Sequence, residues 1–285
     1  MSRVTVVTRW LVPLVLIGHL ALVLPLAALL NIWADETYSL HTTSRDVAYA
    51  LDQATHFEVQ PPLYFIMLTL WRALSPSLLW ARLFSVTCSA LTLVVVGQLA
   101  RRFWPERHPA WCVGMVAFHP FFVWAAVEAR VYALTVLCSS LMVLWFFEGY
   151  WTETPRPKAR WQYWLVVVVG LYAQYYLGFL AAAQVGVLLL LRRWQAFLQY
   201  LRFAVVAGVA ILPLLWLVFV QTHTHSYLLH GALPLLDAAD FLWKRVFDFA
   251  LPAEWPPLIG VRDLLLSGSV LFVMGWCWRK PQRTA

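Results

Sequence analysis

The sequence predicts an all-α, polytopic membrane protein, and three observations predict it. First, 62% of the 285 residues are hydrophobic and only 12% are charged, where a soluble domain carries about 25% charged residues. Second, the apolar residues come in runs long enough to cross ~30 Å of hydrocarbon. Third, the Lys and Arg residues cluster in short loops between those runs. The net charge of +7 therefore reads as topology and not as a nucleic-acid-binding face. Seventeen Trp and eleven Tyr suit a chain that meets the membrane–water boundary many times. Cys88, Cys112, Cys138 and Cys277 all fall inside apolar runs without a C-x-x-C spacing. Neither a zinc site nor a disulfide framework is therefore indicated for these thiols.

The first span is Leu11–Ile32, preceded by Arg3 and Arg9. Its apolar part exceeds the roughly 7–15 residues of a secretory signal, so it reads as an uncleaved span with its N-terminus inside. A hydrophilic stretch follows, residues 33–62, the first outer loop. Within it Val47–Gln53 reads as a short surface helix with Ser44 as N-cap. Leu63–Leu74 is apolar but too short to cross, which fits an interfacial or re-entrant helix. Pro61 and Pro62 suit its start, where the first N–H groups lack intrahelical partners anyway. Spans two to four are Leu83–Ala100, Ala110–Val127, kinked at His119-Pro120, and Val131–Phe147. Trp161–Leu191 is too long for one span and too short for two full ones. Basic residues flank both of its ends, so it reads as a hairpin turning at Tyr175-Tyr176-Leu177-Gly178. Phe203–Val220 is a seventh span, residues 221–263 a second outer loop, and Leu264–Trp278 an eighth span. The expectation is a single transmembrane domain, residues 1–285, of about eight spans with interfacial helices in its first outer loop.

Charge supports this threading. Arg101-Arg102, Arg107, Arg156, Lys158, Arg160, Arg192-Arg193 and Arg279-Lys280 fall on one side, with only Glu106, Glu148 and Glu153 among them. The remaining acids fall opposite. The positive-inside rule then puts both termini in the cytoplasm and residues 33–62 outside. No internal repeat suggests a transporter built of two halves.

The outer side gathers the residues with chemical potential. Residues 33–64 hold five of the 14 acids, Asp35, Glu36, Asp46, Asp52 and Glu58. Asp35 and Glu36 follow the first span directly, at a membrane edge where a carboxylate is costly unless solvated or paired. Gln60, Pro61, Pro62 and Tyr64 precede the short helix, Arg82 opens span two, and Glu128-Ala-Arg130 joins spans three and four. Each has a plainer reading. Asp35 and Glu36 could be a solvated loop start, and Glu128 and Arg130 a simple ion pair. Arg82 could be a snorkelling anchor, and Gln60-Pro61-Pro62 only a helix start. His223, His225 and His230 invite a metal reading but lack a carboxylate at ligand spacing.

In order, DETYSL, QPPLYF, ARLFS, RRF, HPFFVWAAVEARVYAL and LYAQYYLGFLAAAQ resemble the GT-C class of membrane glycosyltransferases. The similarity is to the branch of protein O-mannosyltransferases and lipid A aminoarabinose transferases, over about residues 33–192. The resemblance implies a sugar moved from a polyprenyl-phosphate carrier to a lipid, glycan or protein acceptor on the non-cytoplasmic face of a bacterial inner membrane, with inversion. Asp35 matches the family's catalytic aspartate, the general base for the acceptor hydroxyl. Glu36, Gln60, Tyr64, Arg82, Glu128 and Arg130 are the expected substrate-binding residues. Among them Arg82 and Arg130 are phosphate-matching guanidinium forks, and Glu128 either orients Arg130 or binds a divalent cation. No cofactor is otherwise implied. The chain departs from the pattern of that branch at Gln60, where His or another polar or charged residue is usual, and at Gln174, where His is expected, and it is shorter than members of the branch commonly are. Two rivals remain: a transporter or flippase of a lipid-linked sugar, which would need ionisable residues mid-membrane, and a non-catalytic scaffold built on the same fold.

Overall fold

A computed structural model describes residues 3–224, and they are helical throughout, without a strand. In order the helices are α1 (Arg3–Leu29), α2 (Ala34–Thr42), α3 (Val47–His56), α4 (Leu63–Arg72), α5 (Leu78–Phe103), α6 (Ala110–Ala117), α7 (Pro120–Val127), α8 (Tyr132–Phe146, continued by a π-turn to Trp151), α9 (Pro157–Ala173), α10 (Leu177–Leu190) and α11 (Trp194–Thr224). Four of them are long and apolar enough to cross a membrane: α1, α5, α8 with its π-turn, and α11. A fifth is gained if α6 and α7, bent 64° apart, count as one broken span. Among the described residues, four or five spans are therefore present, and the eight-span expectation is not confirmed. The hairpin over Trp161–Leu191 forms as α9 and α10, but neither is a crossing helix by length and composition. The second outer loop beyond Thr224, the span Leu264–Trp278, and His225 and His230 lie outside the described residues.

Helix α5 is the spine, packing against α1, α4, α6, α7 and α8. It starts at Leu78, one turn before the expected start, because Ser77 caps it by accepting the Trp80 N–H at 3.2 Å. Its buried polar stripe, Arg82, Ser85, Ser89 and Thr92, follows helical spacing and faces its neighbours. Ser85 donates to the Glu128 carbonyl at the end of α7. Ser89 meets His19 Nε2 at 3.1 Å, while His19 Nδ1 reaches the Ala117 carbonyl at 2.8 Å. His19 is fully buried and supports the break between α6 and α7, where Pro120 has no N–H to give.

Polar residues collect at two opposite ends of the spans. At one end Glu148 takes Arg102 at 2.6 Å and Arg156 at 2.9 Å. There Arg160 donates to the Gly149 carbonyl at 2.8 Å and Arg193 to that of Trp151. These residues were threaded to one side from loop charge alone, and they meet at one end of the bundle. At the other end lie α2, α3, the start of α4 and the α7–α8 junction. The expected cap of α3, Ser44, is not used. Asp46 accepts the Tyr49 N–H at 2.8 Å instead, because it immediately precedes the first helical residue.

Candidate active site

The acidic end is assembled by one buried ion pair. Glu36 lies at the third position of α2 and is completely buried. Its Oε1 accepts from Arg82 Nε at 2.8 Å and from the Ala129 N–H at 2.9 Å. Its Oε2 accepts from Arg82 NH2 at 2.6 Å and from the Trp33 N–H at 3.0 Å. Burial alone would raise the pKa of Glu36. The hydrogen bonds from Arg82, Ala129 and Trp33, together with the Arg82 charge, outweigh it and hold the carboxyl below its ordinary value. Arg82 uses its other donors on the carbonyls of Ala27, Leu30 and Asn31, groups freed where α1 ends. All five guanidinium N–H groups are thus accepted inside the protein. Arg82, 1% exposed, has no donor left for a phosphate, so the expectation of a phosphate fork there is corrected. It is neither a snorkelling anchor nor a ligand contact but the clamp that joins α1, α2 and α5.

Asp35, the neighbouring residue, faces a different environment. Its side chain is 44% exposed, and Arg130 NH2 lies 4.0 Å from Oδ2. Arg130 itself is buried, with 10% of its side chain exposed. Its NH1 donates to the Asp35 carbonyl and to Ser39 Oγ, each at 3.0 Å. Glu58 Oε2 stands 3.7 Å from the same NH1, and Glu58 Oε1 accepts from Thr42 at 3.0 Å. The Nε of Arg130 has no hydrogen-bond partner among the described residues, and its NH2 makes no hydrogen bond there. Nε–H and NH2–H lie side by side on a guanidinium, the edge that binds carboxylate or phosphate with two parallel bonds. That edge is spent in Arg82 and unspent in Arg130.

Glu58 is buried, which pushes its pKa up. The Arg130 charge and the Thr42 hydrogen bond partly oppose the shift, and Asp35 adds to it. Residues 33–64 drew attention as a stretch, but Glu58 was not singled out as a site residue, and neither were Ser39 and Thr42. The one sequence cue was its place three residues before Pro61-Pro62. Val59, between Glu58 and Gln60, has φ 52°. A β-branched residue there costs about 1–3 kcal/mol, so the surrounding contacts must enforce the turn that delivers Glu58 to Arg130.

Gln60 is tied by its main chain: its carbonyl accepts from Gln221 Nε2 at 3.3 Å, which docks the end of α11. Tyr64 is 1% exposed and its hydroxyl has no hydrogen-bond partner among the described residues. Burial first, against the opposing charge of Arg130, pushes its pKa well above that of an ordinary phenol. Glu128 does not form the expected ion pair with Arg130. Its carboxyl is engaged by Trp124, its Oε2 is buried without a hydrogen-bond partner among the described residues, and burial plus the charge of Glu36 raises its pKa to about 7. Among the described residues no group of three His, Cys, Asp or Glu side chains could hold a metal ion, which leaves Glu128 without co-ligands there for a divalent cation.

The pKa of Glu128 makes a testable contribution to stability. The folded chain holds this proton more tightly than an unfolded chain with a carboxyl near 4.5. Folding stability should therefore fall as pH rises from about 4.5 to about 7 and stay reduced above it. Glu128→Gln mimics the neutral acid and removes the penalty. Thermal unfolding of the detergent-purified variant should match the parent near pH 5 and exceed it near pH 8 by on the order of 1–3 kcal/mol. A pH-independent difference would show that Glu128 is ionised in the fold.

No family model, curated protein or solved structure matches this chain.

Proposed function

We propose that the acidic end of the bundle is the active site of a membrane glycosyltransferase that uses a polyprenyl-phosphate-linked sugar as donor. The observation that carries this reading is the Nε–NH2 edge of Arg130, whose buried Nε has no hydrogen-bond partner among the described residues, next to the half-exposed Asp35 carboxylate. A phosphate bound on that edge would sit beside a carboxylate able to take a proton. The acceptor hydroxyl loses its proton to Asp35 as its oxygen bonds to the anomeric carbon. The bond from that carbon to the phosphate oxygen breaks, and the departing electron pair ends on the polyprenyl phosphate. The new negative charge there is met by Arg130. Attack from the face opposite the phosphate inverts the anomeric centre. Glu58 and Ser39 hold the guanidinium in place, and Glu36 with Arg82 fixes the helix that bears Asp35. Loop charge favours the non-cytoplasmic face for this end, where no nucleotide sugar is needed.

The lipid retained by the detergent-purified chain tests this reading by mass spectrometry. A polyprenyl-phosphate sugar should be present, and Arg130→Gln should lower its occupancy by tenfold or more, since a charge-assisted fork is worth about 1.5–3 kcal/mol. Bulk phospholipid alone, or equal retention by the variant, defeats it.

A further inference from the structure

The opposite, basic end of the bundle carries a separate cleft that the proposed chemistry does not use. Two adjoining cavities share Trp104 and Cys112. One, of about 390 Å³, runs along the end of α5 between Val96, Leu99, Ala100 and Phe103. The other, of about 460 Å³, opens past it between Trp104, Glu106, Arg107 and Trp111. Both fall in the roughly 300–1,000 Å³ range of ligand pockets. The first is an open groove lined by apolar side chains. The second holds one carboxylate and one guanidinium, and among the described residues no other charged residue lines either cavity. From Val96 to Trp104 the helix rises about 12 Å at 1.5 Å per residue. That is most of one leaflet's share of ~30 Å of hydrocarbon. The slot therefore has the depth of the upper part of an acyl chain, and its mouth lies where the headgroup would be. Trp104 and Trp111, 56% and 75% exposed, stand at that mouth as interfacial anchors do.

We infer that this cleft binds a glycerophospholipid whose phosphate carries a primary ammonium group, that is, a phosphatidylethanolamine, from the leaflet at the basic end. The phosphate takes Arg107, and the ammonium takes Glu106. One acyl chain lies in the slot beside Val96, Leu99 and Phe103. A purely anionic headgroup would answer Arg107 and be repelled by Glu106. A choline headgroup has no N–H to give the carboxylate. The choice of a zwitterion with hydrogen-bond donors follows from the two charged residues standing together at the mouth.

Native mass spectrometry of the full chain in mixed micelles with equal amounts of phosphatidylethanolamine, phosphatidylcholine and phosphatidylglycerol tests this. The ethanolamine lipid should give about fivefold more adduct than either competitor, the size of an exposed ion pair. Glu106→Gln should abolish the preference over phosphatidylglycerol, whereas Arg107→Gln should lower the adduct of all three lipids, since each offers a phosphate, and leave the ethanolamine lipid preferred. Both residues are exposed, so neither change threatens the fold. Arg130→Gln, at the other end, should leave the ratios as they are. Equal adducts of all three lipids in the parent chain would mean an ordinary lipid-facing groove and overturn the proposal. So would a preference for phosphatidylglycerol, or ratios unmoved by Glu106→Gln.

Discussion

Replacing Glu36 by Ala should cost about 3–5 kcal/mol of folding stability, the loss typical when one partner of a buried ion pair is removed. Four hydrogen bonds end on this carboxylate: two from Arg82 and one each from the main chain of Ala129 and Trp33. The two Arg82 donors and the Ala129 N–H stay buried when it is cut away, and the guanidinium carries a full charge. The reverse change, Arg82→Leu, strands the same carboxylate and frees the carbonyls of Ala27, Leu30 and Asn31. It should cost a similar amount. The double variant Glu36→Ala/Arg82→Leu separates the charge effect from the main-chain effect. It removes the unpaired charge but leaves the carbonyls and N–H groups unsatisfied, so it should be less damaging than the sum of the single changes. Denaturant unfolding of the four detergent-purified proteins supplies the cycle. Strict additivity would mean that the pair contributes nothing as a pair, and Glu36 would then be an ordinary helix-cap residue.

The non-locality of this pair explains what the sequence could and could not show. The apolar runs, the bend at Pro120, the start of α4 at Leu63 and the hairpin turn near 174–176 are local signals, and each was legible. The start of α5 was not, because Arg82 looks like the charged border of a span. Its charge is neutralised by a residue 46 positions away, and no window along the chain contains both. The helix α2 was hidden for a related reason. Its buried face is polar, Glu36, Ser39 and Thr42, at helical spacing. A search for apolar periodicity is blind to a face whose burial is supported by hydrogen bonds. In the candidate site, Asp35 and Arg130 were legible as members of one cluster. The division of labour between Arg82 and Arg130 was not, since it depends on which guanidinium edge is already occupied. Pairing of Arg130 with its neighbour Glu128, one of the readings open in the sequence, is not what the fold forms. Two residues apart across a helix start, the two side chains are carried to different surroundings, and Glu58 comes in from another element.

The same division separates binding from turnover, and Asp35→Asn should expose it. The substitution should lower kcat for glycosyl transfer by about 10²–10⁴-fold, the range that a positioned general base contributes. It should leave the fold intact, because the Asp35 side chain is half-exposed and the hydrogen bond that holds Arg130 comes from its main-chain carbonyl. Asn preserves that carbonyl and the side-chain volume while removing the proton acceptor. The donor lipid should stay bound, and its occupancy should even rise, since an anion beside the phosphate site has been neutralised while the Arg130 edge is untouched. The expected signature is therefore a loss in kcat without a loss in donor binding, opposite to that of Arg130→Gln, which should lose the donor first. Transfer and lipid occupancy measured on the same purified preparations decide the matter. Undiminished transfer by Asp35→Asn would remove Asp35 as the base. Loss of the donor in that variant would make Asp35 a binding residue, and the nearby Glu58 carboxyl would become the group to test for the proton transfer.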